Sequence, residues 1–331
     1  KGMRYAIRRQ TSPEGQAAVR LRFDAGSLRE ADDQQGLAHV LEHMAFNGSE
    51  AVPEGEMIKI LERLGLAFGA DTNASTGFDE TVYKLDLPRT DAETIDTSLM
   101  LMRETARNLL IAQDAVDRER GVVLSEERTR DTPAYRTYKA RLAFLLKDQR
   151  VNARYPIGTT EVLQQAPAQR IRDFYEAYYR PERTVLVATG DFDVDQMEAK
   201  IREAFADWKP AAADGGDPDL GAVEPRSLEA LVHVEPGVQE SLQVAWVRPP
   251  DRRPDTEAHR KADLIERLGF SVLNRRLSSL SRAPEPPFLG AAAFVNDEYD
   301  SAETTSLIAN AQQGRWREAL TAIEQEQRRL V

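Results

Sequence analysis

Two histidines four residues apart, with a glutamate just before the second, are the densest chemistry in this chain. They stand in Gly36-Leu37-Ala38-His39-Val40-Leu41-Glu42-His43-Met44-Ala45-Phe46. The spacing of Leu37, Val40, Leu41 and Met44 predicts a helix from Gln35 to Phe46. One helical turn separates His39 from His43, so the two imidazoles share a face. Two imidazoles so placed can bind one zinc ion through nitrogen at about 2.0–2.1 Å. Glu42 lies three after His39 on nearly the same face, within reach of a metal-held water without being a ligand. The chain has only 4 histidines. An apolar helix that left these imidazoles and this carboxylate unpaired would be costly, so a metal accounts for the pattern better than chance does.

A catalytic zinc usually takes three protein ligands and keeps one position for water. The third is expected from Asp117-Arg118-Glu119-Arg120-Gly121-Val122-Val123-Leu124-Ser125-Glu126-Glu127-Arg128. Glu119 and Glu126 are two helical turns apart and share a face. Glu126 can be a ligand while Glu119 supports the site from behind. Glu127 points about 100° away and is the weaker candidate. On spacing alone, a solvated helix face explains these glutamates as well.

The elements that must hold these residues follow from periodicity. Residues 4–24 alternate around Ser12-Pro13-Glu14-Gly15, the pattern of a hairpin. A second helix is expected over 53–64, and strands over 67–76 and 80–87. Helical patterns follow at 91–111, 113–130, 133–148 and 167–179. Thr184–Thr189 reads as a buried strand and Asp193–Trp208 as a helix. Residues 209–225 are rich in Pro, Gly and Asp, which marks a linker. The order then repeats: strands over 228–247, a helix over 256–280, strands over 288–296 and 304–312, and a helix over 316–330. The expected organisation is a zinc-binding domain over 1–210, a linker over 211–225, and a homologous domain without a metal site over 226–331. The repeat stops before a counterpart of the 113–130 helix. Lys1 is not a start methionine, and Arg328-Arg329-Leu330-Val331 falls inside a helical pattern, so a piece of a longer chain is expected.

Composition narrows the class. The chain has 331 residues, 41% apolar and 30% charged, which is that of a folded, soluble protein of about two domains. A net charge of −11 argues against a nucleic-acid binder. With 0 cysteines, disulfides, iron–sulfur clusters and thiol catalysis are excluded. No stretch approaches the roughly 20 apolar residues of a membrane helix.

Gly36 to Ser49 resembles the signature of the pitrilysin/insulinase family of zinc peptidases. Glu119-Arg-Gly-Val-Val-Leu-Ser-Glu126 resembles that family's second signature. Asp71-Thr72-Asn73-Ala74-Ser75-Thr76 with Glu80-Thr81-Val82-Tyr83, and also Ile157-Gly158 and Tyr178-Tyr179-Arg180-Pro181-Glu182-Arg183, look like family features. The resemblance covers 1–208 by motif and 226–331 in architecture. It implies an α+β fold: two homologous α/β domains, each a mostly antiparallel sheet packed with helices, forming half of a clamshell, the second incomplete. It implies one zinc per chain on His39, His43 and Glu126, with Glu42 as general base and Glu119 as supporting acid. It further implies that Asn73, Ala74 and Ser75 hold an extended substrate by strand pairing.

The implied reaction is endopeptidase hydrolysis of an extended peptide by a zinc-activated water. Two alternatives stand beside it: a catalytic subunit inactive until paired with a second homologous half or partner chain, and a peptide-binding scaffold without catalysis. The resemblance is closest to bacterial periplasmic members, with the cytoplasm as the alternative location. His233 and His259 are expected to be ordinary surface or core residues.

Overall fold

A computed structural model describes residues 2–67 and 69–329. Lys1, Phe68, Leu330 and Val331 lie outside the described residues; the expected strand over 67–76 includes Phe68 and the expected helix over 316–330 includes Leu330. The chain divides into two compact units, Lys1–Arg130 with Arg154–Pro218, and Asp131–Ala153 with Asp219–Val331.

The first unit is built on a five-stranded sheet. Its strands are β1 (Arg4–Arg9), β2 (Ala17–Phe23), β3 (Thr72–Thr76), β4 (Thr81–Leu87) and β5 (Thr184–Gly190), in the order β1-β5-β2-β4-β3. Only β1 and β5 run parallel; the other pairs are antiparallel. Strict alternation buries one face of β2 through Ala17, Val19, Leu21 and Phe23, and one face of β4 through Thr81, Tyr83, Leu85 and Leu87. The helices α1 (Leu37–Met44), α2 (Glu56–Arg63), α3 (Ala92–Arg107), α4 (Gln113–Arg130), α6 (Thr160–Gln165), α7 (Ala168–Tyr178) and α8 (Val194–Phe205) belong to the same unit. Their apolar residues share one core with the sheet, in which Phe23, Leu37, Leu41 and Phe174 are essentially inaccessible to water.

The expected N-terminal hairpin does not form. β5 lies between β1 and β2 and pairs with both. Turn residues can reverse the chain without pairing the flanking strands, and β5 is the more apolar partner. The join is tight: a Cβ on Gly190 would sit 2.4 Å from that of Ala17.

The second unit holds α5 (Pro133–Leu145), β6 (Ser241–Arg248), α9 (Glu257–Leu280), β7 (Gly290–Asp297), β8 (Glu303–Asn310) and α10 (Trp316–Arg328). Its antiparallel sheet has the order β6-β8-β7. Leu277, Phe288 and Ile323 are at the centre of its core. One strand forms over 228–247 rather than two, because residues 228–240 take no regular structure. Residues 131–153, which the sequence places in the first domain, group with this unit. Their contacts explain it: Arg136 donates to Glu235 at 2.8 Å, and the Arg226 guanidinium donates to the Phe144 and Leu145 carbonyls.

The expected linker is divided between the units. Asp214 and Asp217 accept hydrogen bonds of 2.9 Å from the buried Arg183, and Asp217 also pairs with Arg29. Gly215 packs on the Tyr178 ring, where a Cβ would clash at 2.4 Å. From Asp219 onward the segment turns to the other unit, where the Leu220 carbonyl accepts from the Arg150 amide.

Candidate metal centre

The helix α1 is anchored at both ends. At its start, the fully buried Glu30 carboxylate accepts the Gly36 and Ala38 amides at 2.9 and 2.8 Å. That satisfies two donors of the helix start and places an anion at its positive pole. Gly36 takes the left-handed conformation, φ +96°, directly against Gly158. A Cβ on Gly158 would lie 2.5 Å from the Gly36 Cα, so neither position admits a side chain. At the other end, the Asn47 carboxamide donates to the His43 carbonyl at 2.9 Å. Leu37, Leu41 and Met44 bury the opposite face.

The second helix of the site, α4, packs on α1, and its Val123 is buried in the core that the two helices share. Arg120 holds α4 to the segment around α6, donating to the Leu163 and Ala166 carbonyls at 2.7 and 3.1 Å. The face that carries Val123 thus brings Glu119 and Glu126 to α1.

The donor atoms converge. His39 Nε2 and His43 Nε2 are 3.3 Å apart. Glu126 Oε2 is 3.5 Å from His39 Nε2, and Glu126 Oε1 is 3.6 Å from His43 Nε2. A tetrahedral ion with ligands at about 2.0–2.2 Å needs ligand atoms about 3.3–3.6 Å apart. The three side chains therefore fit such an ion with little movement. Among the described residues this is the one group of three or more His, Cys, Asp or Glu side chains so assembled. Glu127 is outside it. His259 instead pairs with Asp251 and Asp263 at 3.0 and 3.3 Å, and His233 lies 3.9 Å from Glu235.

The surrounding groups orient His43 and shift the titration of His39 and Glu42. Glu119 Oε2 is 3.0 Å from His43 Nδ1, which turns the opposite ring nitrogen, Nε2, toward His39 and Glu126. Burial pushes the His39 imidazole down to about 3, with His43 and Arg130 adding to the effect. A neutral ring is the form that binds metal. Burial pushes the Glu42 carboxyl up, and Glu126 adds to this, while the Thr76 hydrogen bond, His43 and Arg130 act against it. Arg130 is one turn beyond Glu126 on α4 and carries positive charge to this end of the site.

Strand β3 is the open edge of the sheet. The bonds Gly77 N–H to Glu80 O and Asp86 N–H to Asp71 O, both 2.8 Å, bracket its ladder with β4. By antiparallel alternation, Asn73 and Ser75 direct their backbone groups at β4, whereas Ala74 and Thr76 direct theirs to the open edge and those of Thr72 bond to Ala67 and Gly69. The Ala74 amide donates to the Asn73 side-chain oxygen at 2.9 Å. Thr76 Oγ1 donates to Glu42 Oε2 at 2.5 Å. Glu30 is a site-building residue that sequence reasoning does not single out, and Gly158 and Thr76 are named there only within family-like segments, without a role. Their signal lies in contacts between distant segments, which no local spacing encodes.

An inverted His-x-x-Glu-His helix on a mostly antiparallel sheet, with an acidic donor from a second helix, defines the inverted-motif class of metallopeptidase folds. The chain belongs to peptidase family M16: the insulinase model of that family matches residues 5–152, and the model of the M16 inactive domain matches 165–331. The fold is the expected α+β type. A probable zinc protease PqqL of Haemophilus influenzae is 31% identical over 287 residues, 86% of this chain and 31% of that protein. The probable zinc protease PqqL of Escherichia coli is 35% identical over 202 residues, 61% of this chain and 22% of that protein. The crystal structure of the first half of the periplasmic protease PqqL from E. coli superposes with a TM-score of 0.81 at 26% identity. It covers 98% of this chain and 69% of that one. The chain thus spans about a third or less of the length of these curated relatives.

Proposed function

We propose that this chain carries the zinc site of an endopeptidase acting on extended peptides, with His39, His43 and Glu126 as ligands of one zinc ion. The observation that carries this reading is the spacing of the three donor groups, with the Glu42 carboxylate beside them. Zinc held there supplies Lewis-acid polarisation of a carbonyl and acidification of water.

The chain's own residues do the rest. Glu42 accepts a proton from the attacking water as the water oxygen bonds to the carbonyl carbon. It returns that proton to the leaving nitrogen as the C–N bond breaks. A raised carboxyl pKa suits both transfers. Glu119 fixes the His43 tautomer. The substrate pairs as a strand with the β3 edge. It meets the Ala74 carbonyl and replaces Asn73 as acceptor of the Ala74 amide. The released Asn73 carboxamide can then donate to the scissile carbonyl, and Ser75 contributes its side chain alongside. Location in the periplasm is proposed from the likeness to the E. coli protein, described as periplasmic.

A second reading has one observation in its favour: the chain matches what is described as the first half of a protease. On that reading the site becomes competent only with a second homologous half or a partner chain. No helix among the described residues is long and apolar enough to cross a membrane. Cleavage of a mixed peptide library by the zinc-loaded chain, read by mass spectrometry, tests the proposal. Cleavage absent in Glu42→Gln supports a complete site. Equal cleavage by Glu42→Gln refutes the base, and no cleavage by zinc-loaded protein favours the second reading.

A further inference from the structure

Thr76 joins two parts of the site that the chemistry treats separately. Its backbone groups face the open edge of β3, beside those of Ala74. Its hydroxyl donates to Glu42 Oε2 at 2.5 Å. That bond occupies one carboxylate oxygen of Glu42 and leaves Oε1 for the water. Its geometry also depends on where the strand edge sits. We propose that Thr76 is a positioning residue that couples docking of a peptide strand on β3 to the orientation of the Glu42 carboxylate. The inference rests on the reading of Glu42 as base and of β3 as the docking edge. A peptide paired at Ala74 and Thr76 fixes the end of the strand and thereby the hydroxyl. A filled edge then holds the base in the alignment that the Thr76 hydroxyl gives it through turnover, and a misplacement of about 1 Å can cost a hundredfold in rate.

Two variants separate this role from a structural one. Thr76→Val keeps the size and the β-branch but removes the donor; Thr76→Ser keeps the donor and removes the methyl. With a fluorogenic peptide cut by the wild type, Thr76→Val is expected to lower kcat about ten- to a hundredfold with KM within about threefold. Thr76→Ser restores kcat to within a few-fold, and both variants keep wild-type zinc content. A kcat unchanged in Thr76→Val, a change confined to KM, or no recovery in Thr76→Ser overturns the coupling. An active Glu42→Gln overturns the base reading and the coupling with it, whereas an inactive Glu42→Gln beside a normal Thr76→Val overturns the coupling alone. A second readout is independent of turnover. In metal-free protein with 13C-methyl threonine, the Thr76 signal, assigned by its loss in Thr76→Ser, is expected to shift on adding the peptide. No shift at saturating peptide overturns the docking step.

Discussion

His43 uses its two ring nitrogens for different tasks: Nδ1 meets Glu119 at 3.0 Å, and Nε2 meets His39 at 3.3 Å. The carboxylate behind the ring is thus placed to orient it and to favour the tautomer with the proton on Nδ1. Replacing such a partner typically costs ten- to a hundredfold in metal affinity, so Glu119→Ala is expected to weaken zinc binding by about that factor. Competition with a chelator checks this, and unchanged affinity would show that His43 needs no support. Glu119→Gln is expected to fall between the two, because its amide oxygen can still accept from Nδ1.

The glycine contact under α1 is expected to matter for the candidate site, because it sets where α1 lies. Gly158→Ala places a Cβ 2.5 Å from the Gly36 Cα at φ +76°. Overpacking of this kind costs about 1–3 kcal/mol, and the left-handed conformation adds to it. The variant is expected to melt earlier and to bind zinc more weakly, since α1 must shift. Gly121→Ala, where a Cβ meets nothing within 4 Å, is the control. Equal melting of the two variants would contradict the anchoring role.

In metal-free protein the His39 ring should stay neutral well below the usual histidine range. Its pKa is pushed down to about 3, so between the free value of about 6.5 and that point the unfolded chain binds a proton that the folded chain does not. The stability it contributes is complete above about pH 6.5 and is lost as pH falls, by at most about 1.4 kcal/mol per pH unit. Proton NMR of the imidazole C–H groups reads this directly. A His39 midpoint between pH 6 and 7 would contradict its burial.

Much of the site was legible because its chemistry is local. His39, Glu42 and His43 lie within one helical turn, and Glu119 and Glu126 share a helix face by spacing alone. Helix ends were equally readable where a side chain caps them, as Asp91 caps α3, Asp193 caps α8 and Thr256 caps α9. What local pattern does not encode is partnership across the chain. The insertion of β5 between β1 and β2 depends on strands some 160 residues apart. The grouping of 131–153 depends on Arg136 meeting Glu235. Glu30 under α1 and Thr76 beside Glu42 are ordinary residues until the fold brings them there.

The ligand set makes the sharpest claim, and anomalous diffraction at the zinc edge from zinc-loaded crystals tests it most directly. The account predicts one strong peak per chain, about 2.0–2.2 Å from His39 Nε2, His43 Nε2 and a Glu126 carboxylate oxygen. No peak there in zinc-replete protein, or a peak held by other residues, would contradict it.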